Sequence, residues 1–116
     1  MFSRRLVVHI TTSIECKGRI LLNYKLPVLY SRADAKTRRE IRKQYVREQG
    51  GLCYWCKQPL DGLAAEHIRN KEINWKLFPE GFTQHPVHLQ HDHETDLTEG
   101  AVHAICNAYM WQYKGR

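Results

Sequence analysis

Leu6-Val-Val-His-Ile-Thr-Thr12 opens the chain with a β-branched, apolar run, and Ile20-Leu-Leu-Asn-Tyr-Lys-Leu26 repeats that character up to Pro27. Between them Cys16-Lys-Gly-Arg19 carries a turn signal, so residues 5–30 read as a hairpin or two short strands. From Ser31 the pattern changes. Ser31-Arg-Ala-Asp34 fits a capping box with Asp in the acidic position, opening a helix that runs to Gln49. Ala35, Ile41, Tyr45 and Val46 make its one narrow apolar stripe, and Gly50-Gly51 ends it where a left-handed residue is needed. Leu63–Ile68 and Ile73–Phe78 read as short helices or strand pieces around Trp75 and Phe78, with Pro79-Glu-Gly81 as a turn. Val87–His91 and Thr98–Val102 then pair as a second hairpin. Ala104 to about Tyr113 is a closing helix, whose Tyr109, Met110, Trp111 and Tyr113 suit core and interface.

Length changes this picture by asking what holds it together. At 116 residues the chain reads as one small domain whose single core is marginal, so a metal staple is a physically sensible addition. The apolar runs are far too short to span a membrane. The basic start lacks a signal peptide's long apolar stretch and cleavage site, so a cytoplasmic protein is expected. There the 4 cysteines read as ligands plus one free thiol, Cys16, rather than as disulfides.

Cys53-Tyr-Trp-Cys56 is a C-x2-C knuckle closed by Pro59, and His103-Ala-Ile-Cys106 is an H-x2-C of the same spacing. Together they supply four tetrahedral ligands of the Cys3His type. A lone C-x2-C competes with a redox pair; two matched knuckles favour a structural zinc. Between the knuckles, His88, His91 and His93 crowd into the hairpin, and Asn107 follows Cys106 directly.

Charge is divided along the chain. Residues 1–52 carry 12 Lys and Arg against 4 acids, a balance of +8, whereas residues 53–116 carry 6 against 8, a balance of −2. The first helix concentrates the excess: Arg32, Lys36, Arg38, Arg39, Arg42, Lys43 and Arg47 against Asp34, Glu40 and Glu48. Such a helix suits phosphate contacts, which set affinity and salt dependence rather than sequence choice; the competing reading is a solvated face. Arg38, Arg39, Arg42, Lys43 and Arg47 are the candidate DNA contacts.

From about Gly50 to Met110 these motifs resemble the His-Asn-His (ββα-metal) nucleases, and within them the recombination endonuclease VII group of phage proteins. The matching stretch is Cys53-x2-Cys56, then His88-Leu-Gln-His-Asp-His-Glu-Thr-Asp96, Gly100, His103-x2-Cys106 and Asn107. The resemblance implies an α+β fold, a small zinc-stapled ββα-metal domain over 50–116 with an inserted loop at about 57–87. Residues 1–49, the strands and basic helix, lie outside it and are read as a DNA-contact or dimerisation part. It further implies a metal-dependent DNA endonuclease, with His91 as general base and Asn107 with position 90 holding a catalytic Mg²⁺ or Mn²⁺. An unperturbed imidazole, with a pKa of about 6.5, suits the base.

Two residues depart from the family. His103 stands where many members have a third Cys, which zinc accepts. Gln90 stands where the family has Asp, and a neutral amide is a poorer ligand for a hard cation than a carboxylate. That motivates the alternative, a catalytically impaired, zinc-stabilised DNA-binding protein. A third reading is a structural zinc-knuckle protein whose basic helix binds a protein or RNA. Glu66-His67 offers a competing acid-histidine frame for the active site. A monomer should nick one strand, and a homodimer could break both.

Overall fold

The computed structural model describes residues 10–16 and 19–115. β1 (Ile10–Cys16) and β2 (Arg19–Tyr24) form an antiparallel ribbon in which Ser13 faces Leu22. The strand expected at 6–12 lies partly outside the described residues, as do Lys17 and Gly18 of the expected turn. Within them, pairing extends on to Cys16, and the second strand stops at Tyr24 rather than Leu26.

α1 (Ala35–Glu48) begins later than the capping-box reading of Ser31 placed it. Asp34 is itself the N-cap, its Oδ1 accepting from the Thr37 N–H at 2.8 Å. Ser31 is not free to cap, because its N–H and hydroxyl both donate to the Asp96 carboxylate, and Tyr30–Arg32 forms a separate 3-10 turn. The end is as expected, with Gly50 and Gly51 at φ 67° and 78°. Ile41 and Tyr45 face the core, whereas Ala35 is exposed. Beside them the buried Gln44 amide clamps the end of β2, accepting from Tyr24 N at 2.7 Å and donating to Tyr24 O at 3.0 Å.

β3 (Val87–His91) and β4 (Thr98–His103) pair antiparallel with a register break between Gln90 and His91, and α3 (Ala104–Lys114) follows at once. This hairpin and helix agree with the expected elements. The core runs through all of them: Val28, Ile41, Ala101, Val102, Cys106 and Met110 belong to one buried cluster. On α3, Tyr109 and Met110 are buried, but Trp111 and Tyr113 are each 43% exposed. The 57–87 stretch contributes to the same core through Leu60, Ala64 and Ile68, the last on the one-turn α2 (Glu66–Arg69). Burying an isoleucine such as Ile68 is worth about 1.5–3 kcal/mol, so this insertion is structural as well as peripheral.

The outer side of β4 is occupied at Thr98 and at Ala101. Thr98 N donates to Val28 O at 2.9 Å, and Leu29 bridges to Leu97. Further along, the Gln49 amide takes both groups of Ala101, accepting from its N at 2.8 Å and donating to its O at 2.9 Å. Tyr54 N donates to the same carbonyl. Gly100 lets these segments close: a Cβ there would stand 2.7 Å from Gln49 Oε1 and 2.8 Å from both Cβ and Cγ of Tyr54. Gly100→Ala is therefore expected to cost about 1–3 kcal/mol, as overpacking does, visible as a lower urea midpoint at unchanged slope. An unshifted midpoint would mean that this contact is slack.

Candidate metal centre and functional cavity

Cys53, Cys56, His103 and Cys106 converge, with ligand atoms all within 4.8 Å of one another. His103 Nδ1 lies 3.4 Å from Cys56 Sγ and 3.6 Å from Cys106 Sγ. With Zn–S near 2.3 Å and Zn–N near 2.0–2.1 Å, a tetrahedral site needs an N···S edge of about 3.5 Å. The donor set and spacing fit zinc. The neighbours complete the fit: His103 Nε2 donates to Pro59 O at 2.8 Å, which turns Nδ1 toward the thiols. The N–H groups of Trp55 and Cys56 both donate to Cys53 Sγ at 3.4 Å.

These bonds have an electrostatic signature. A hydrogen bond from Cys106, helped by backbone N–H groups, brings the pKa of the Cys53 thiol well below its ordinary value against the cost of burial. Cys106 is pushed up because it keeps the proton of that bond. A cation arriving there displaces that proton.

The second feature is a cavity of about 700 Å³ beside β3. Arg38, Arg39 and Arg42 of α1 line it; Lys43 and Arg47, the other expected DNA contacts, do not. His85, His88, His91 and His93 line it, and so does Asn107 of α3. Position 90 does not. The Gln90 side chain is 1% exposed, and its Nε2 donates to Glu99 Oε1 at 2.7 Å. The structure therefore brings His91 and Asn107 to one cavity and leaves Gln90 outside its lining. Glu66 and His67 are both exposed on α2 and also lie outside it.

His91 is held as a slice in a stack. The Tyr30 ring lies 3.8 Å from it at 9°, and His93 lies 4.6 Å away at 11°. Two near-parallel rings this close must cover opposite faces, so only the ring edge, where the nitrogens are, remains accessible. The Arg38 guanidinium extends the stack, 3.9 Å from the Tyr30 centroid, while its Nε donates to Tyr30 O at 3.0 Å. Burial, then the neighbouring His93 charge, lowers the His91 pKa below its ordinary value. The neutral form is thereby favoured.

His88 is spent differently. Asn107 Nδ2 donates to its Nδ1 at 3.1 Å. Burial lowers its pKa too. His88 thus fixes the Asn107 amide, whose oxygen plays no part in this bond.

A titration followed by NMR is expected to give His91 a midpoint below about 6.5, moving up in Tyr30→Ala as water regains the ring. The sign for stability follows. Just below pH 6.5 the unfolded chain binds more protons at this position than the folded one, so His91 destabilises the fold as pH falls through that window and costs nothing above it. A midpoint unmoved by Tyr30→Ala would show that the stack does not set it.

Tyr30, Glu99 and the aromatic side chains of the insertion were not legible as site residues. Tyr30 is far from the hairpin in sequence, and no local pattern ties it to His91. Phe78 read only as a packing residue, yet it and Phe82 both line the cavity. Compared with protein families, with curated proteins and with solved structures, the chain matches none. Among the described residues no helix is long and apolar enough to cross a membrane.

Proposed function

We propose that this protein is a DNA endonuclease hydrolysing phosphodiester bonds in the cavity beside β3. One observation carries the reading: a histidine favoured in its neutral form, open only at its edge, shares that cavity with three guanidiniums. The arginines hold the phosphate and offset the charge that builds on its oxygens. His91 takes a proton from water as the oxygen attacks phosphorus. The bond from phosphorus to the 3′ oxygen breaks, that oxygen takes a proton from solvent, and a 5′ phosphate and a 3′ hydroxyl remain. The zinc cluster's part is to anchor the start of α3, and with it Asn107, to the Cys53 knuckle.

The divalent ion that the motif resemblance implies has a poor seat. A hard cation wants oxygen ligands, chiefly carboxylates. Among the described residues no carboxylate lines the cavity, and Gln90 donates to Glu99 and lies outside the lining. No step is routed through such an ion. This same observation favours a second reading, a zinc-stabilised DNA-binding protein that does not cut.

Supercoiled plasmid separates the two when incubated with no added ion, Mg²⁺, Mn²⁺ or Zn²⁺. The endonuclease reading expects nicked circles with ligatable 5′ phosphates. A protein that retards DNA but leaves it closed under every condition selects the second reading. Gln90→Asp is informative beside it, since its carboxylate would sit near Glu99, where two negative charges call for a cation. If the parent is inert and Gln90→Asp cuts with Mg²⁺, the site is a nuclease whose metal seat is lost.

A further inference from the structure

The arginines account for only part of the cavity. Beside the histidines and Asn107 it has an apolar portion, to which the insertion and α3 contribute Leu77, Phe78, Phe82 and Trp111. These rings are in contact, Phe78 lying 4.8 Å from Phe82 and 5.4 Å from Trp111. Phe82 in turn meets His88 edge-on at 4.7 Å, so the aromatic chain reaches the side chain that fixes Asn107. Leu77 and Trp111 remain 50% and 43% exposed. Asn107 and Trp111 are one helical turn apart and line the cavity together. Half-exposed large apolar groups at the end of a cationic cavity call for a ligand that is flat and apolar where the arginines' ligand is anionic.

A perfectly paired duplex does not present that combination, since its base faces are stacked inside and its backbone is polar throughout. A nucleotide with an unpaired base does. We propose that the aromatic wall formed by Phe78, Phe82 and Trp111 receives the face of one unpaired nucleobase while Arg38, Arg39 and Arg42 hold the adjoining phosphate. The preferred substrate is therefore DNA with an unpaired base, single-stranded or bulged. This rests on the endonuclease reading only for what happens after binding; the base seat is a property of binding itself.

The test is fluorescence anisotropy with three labelled oligonucleotides of one sequence: single strand, duplex with one bulged base, and perfect duplex. His91→Ala serves as the cleavage-impaired background. Base stacking on an aromatic residue is sequence-tolerant, and its loss on alanine substitution is worth about tenfold in affinity. We expect the single strand and the bulge to bind about tenfold tighter than the perfect duplex. Trp111→Ala should remove that preference, and Trp111→Phe should keep most of it. Zinc content and thermal unfolding of each variant establish that it is folded. Equal affinity for bulged and perfect duplex, unchanged by Trp111→Ala, would overturn the base seat while plasmid nicking continues to support the endonuclease. Preference for the unpaired base without any nicking would keep the seat and select the DNA-binding reading instead.

Discussion

Cys106→Ser is expected to leave a chain that neither retains zinc nor unfolds cooperatively. The four ligands come from two segments far apart in sequence, and Cys53 and Cys106 are both wholly buried. Structural zinc sites contribute an apparent 10–16 kcal/mol at neutral pH, as much as the whole net stability of a small domain, about 5–15 kcal/mol. Losing one ligand forfeits most of that and leaves polar groups buried without the ion they face. The parent protein should carry one zinc per chain by elemental analysis, and a strong chelator should abolish its cooperative thermal transition. A parent that purifies without zinc and melts identically with chelator would show that the Cys3His cluster is held by packing alone.

His91→Ala should lower the nicking rate by about 10²–10⁴-fold, the usual worth of a positioned general base. Binding should survive, because the guanidiniums of Arg38, Arg39 and Arg42 are untouched. The separation of the two effects is the point of the experiment. A parallel loss of affinity and rate would make His91 a binding residue. An unchanged rate would leave the endonuclease reading without its base. In the parent, the acid limb of kcat/KM should fall below pH 6.5, in the direction in which burial moves His91.

The elements and the metal centre were legible for a common reason: their signals are local. The strand signals at Val87–His91 and Thr98–Val102 marked the hairpin, paired glycines ended α1, and two knuckles of matched spacing named all four residues of the cluster that could hold zinc. Legibility failed where a side chain's partner is distant. Ser31 resembles a cap in sequence, but Asp96 claims it across the fold and passes the cap to Asp34. The resemblance aligned Gln90 with a metal ligand, and nothing local revealed that Glu99 takes its amide. The five cations of α1 expected at DNA were indistinguishable in sequence. Only the helix's packing against β3 and β4 decides that Arg38, Arg39 and Arg42 reach the cavity while Lys43 and Arg47 do not.

The occupied flank of β4 also bears on how the protein avoids its own copies. A two-stranded sheet exposes two edges, each a template for another chain's strand and hence for aggregation. Here the backbone groups of Thr98 and Ala101 are already taken, by Val28 on one and by Gln49 and Tyr54 on the other. Gln49 acts as a blocking strand one residue long. Removing its amide would leave the fold's contacts largely in place while reopening a stretch of edge. Such a protein would betray the change first in solubility at high concentration, before any loss of its Cys3His cluster or its cavity.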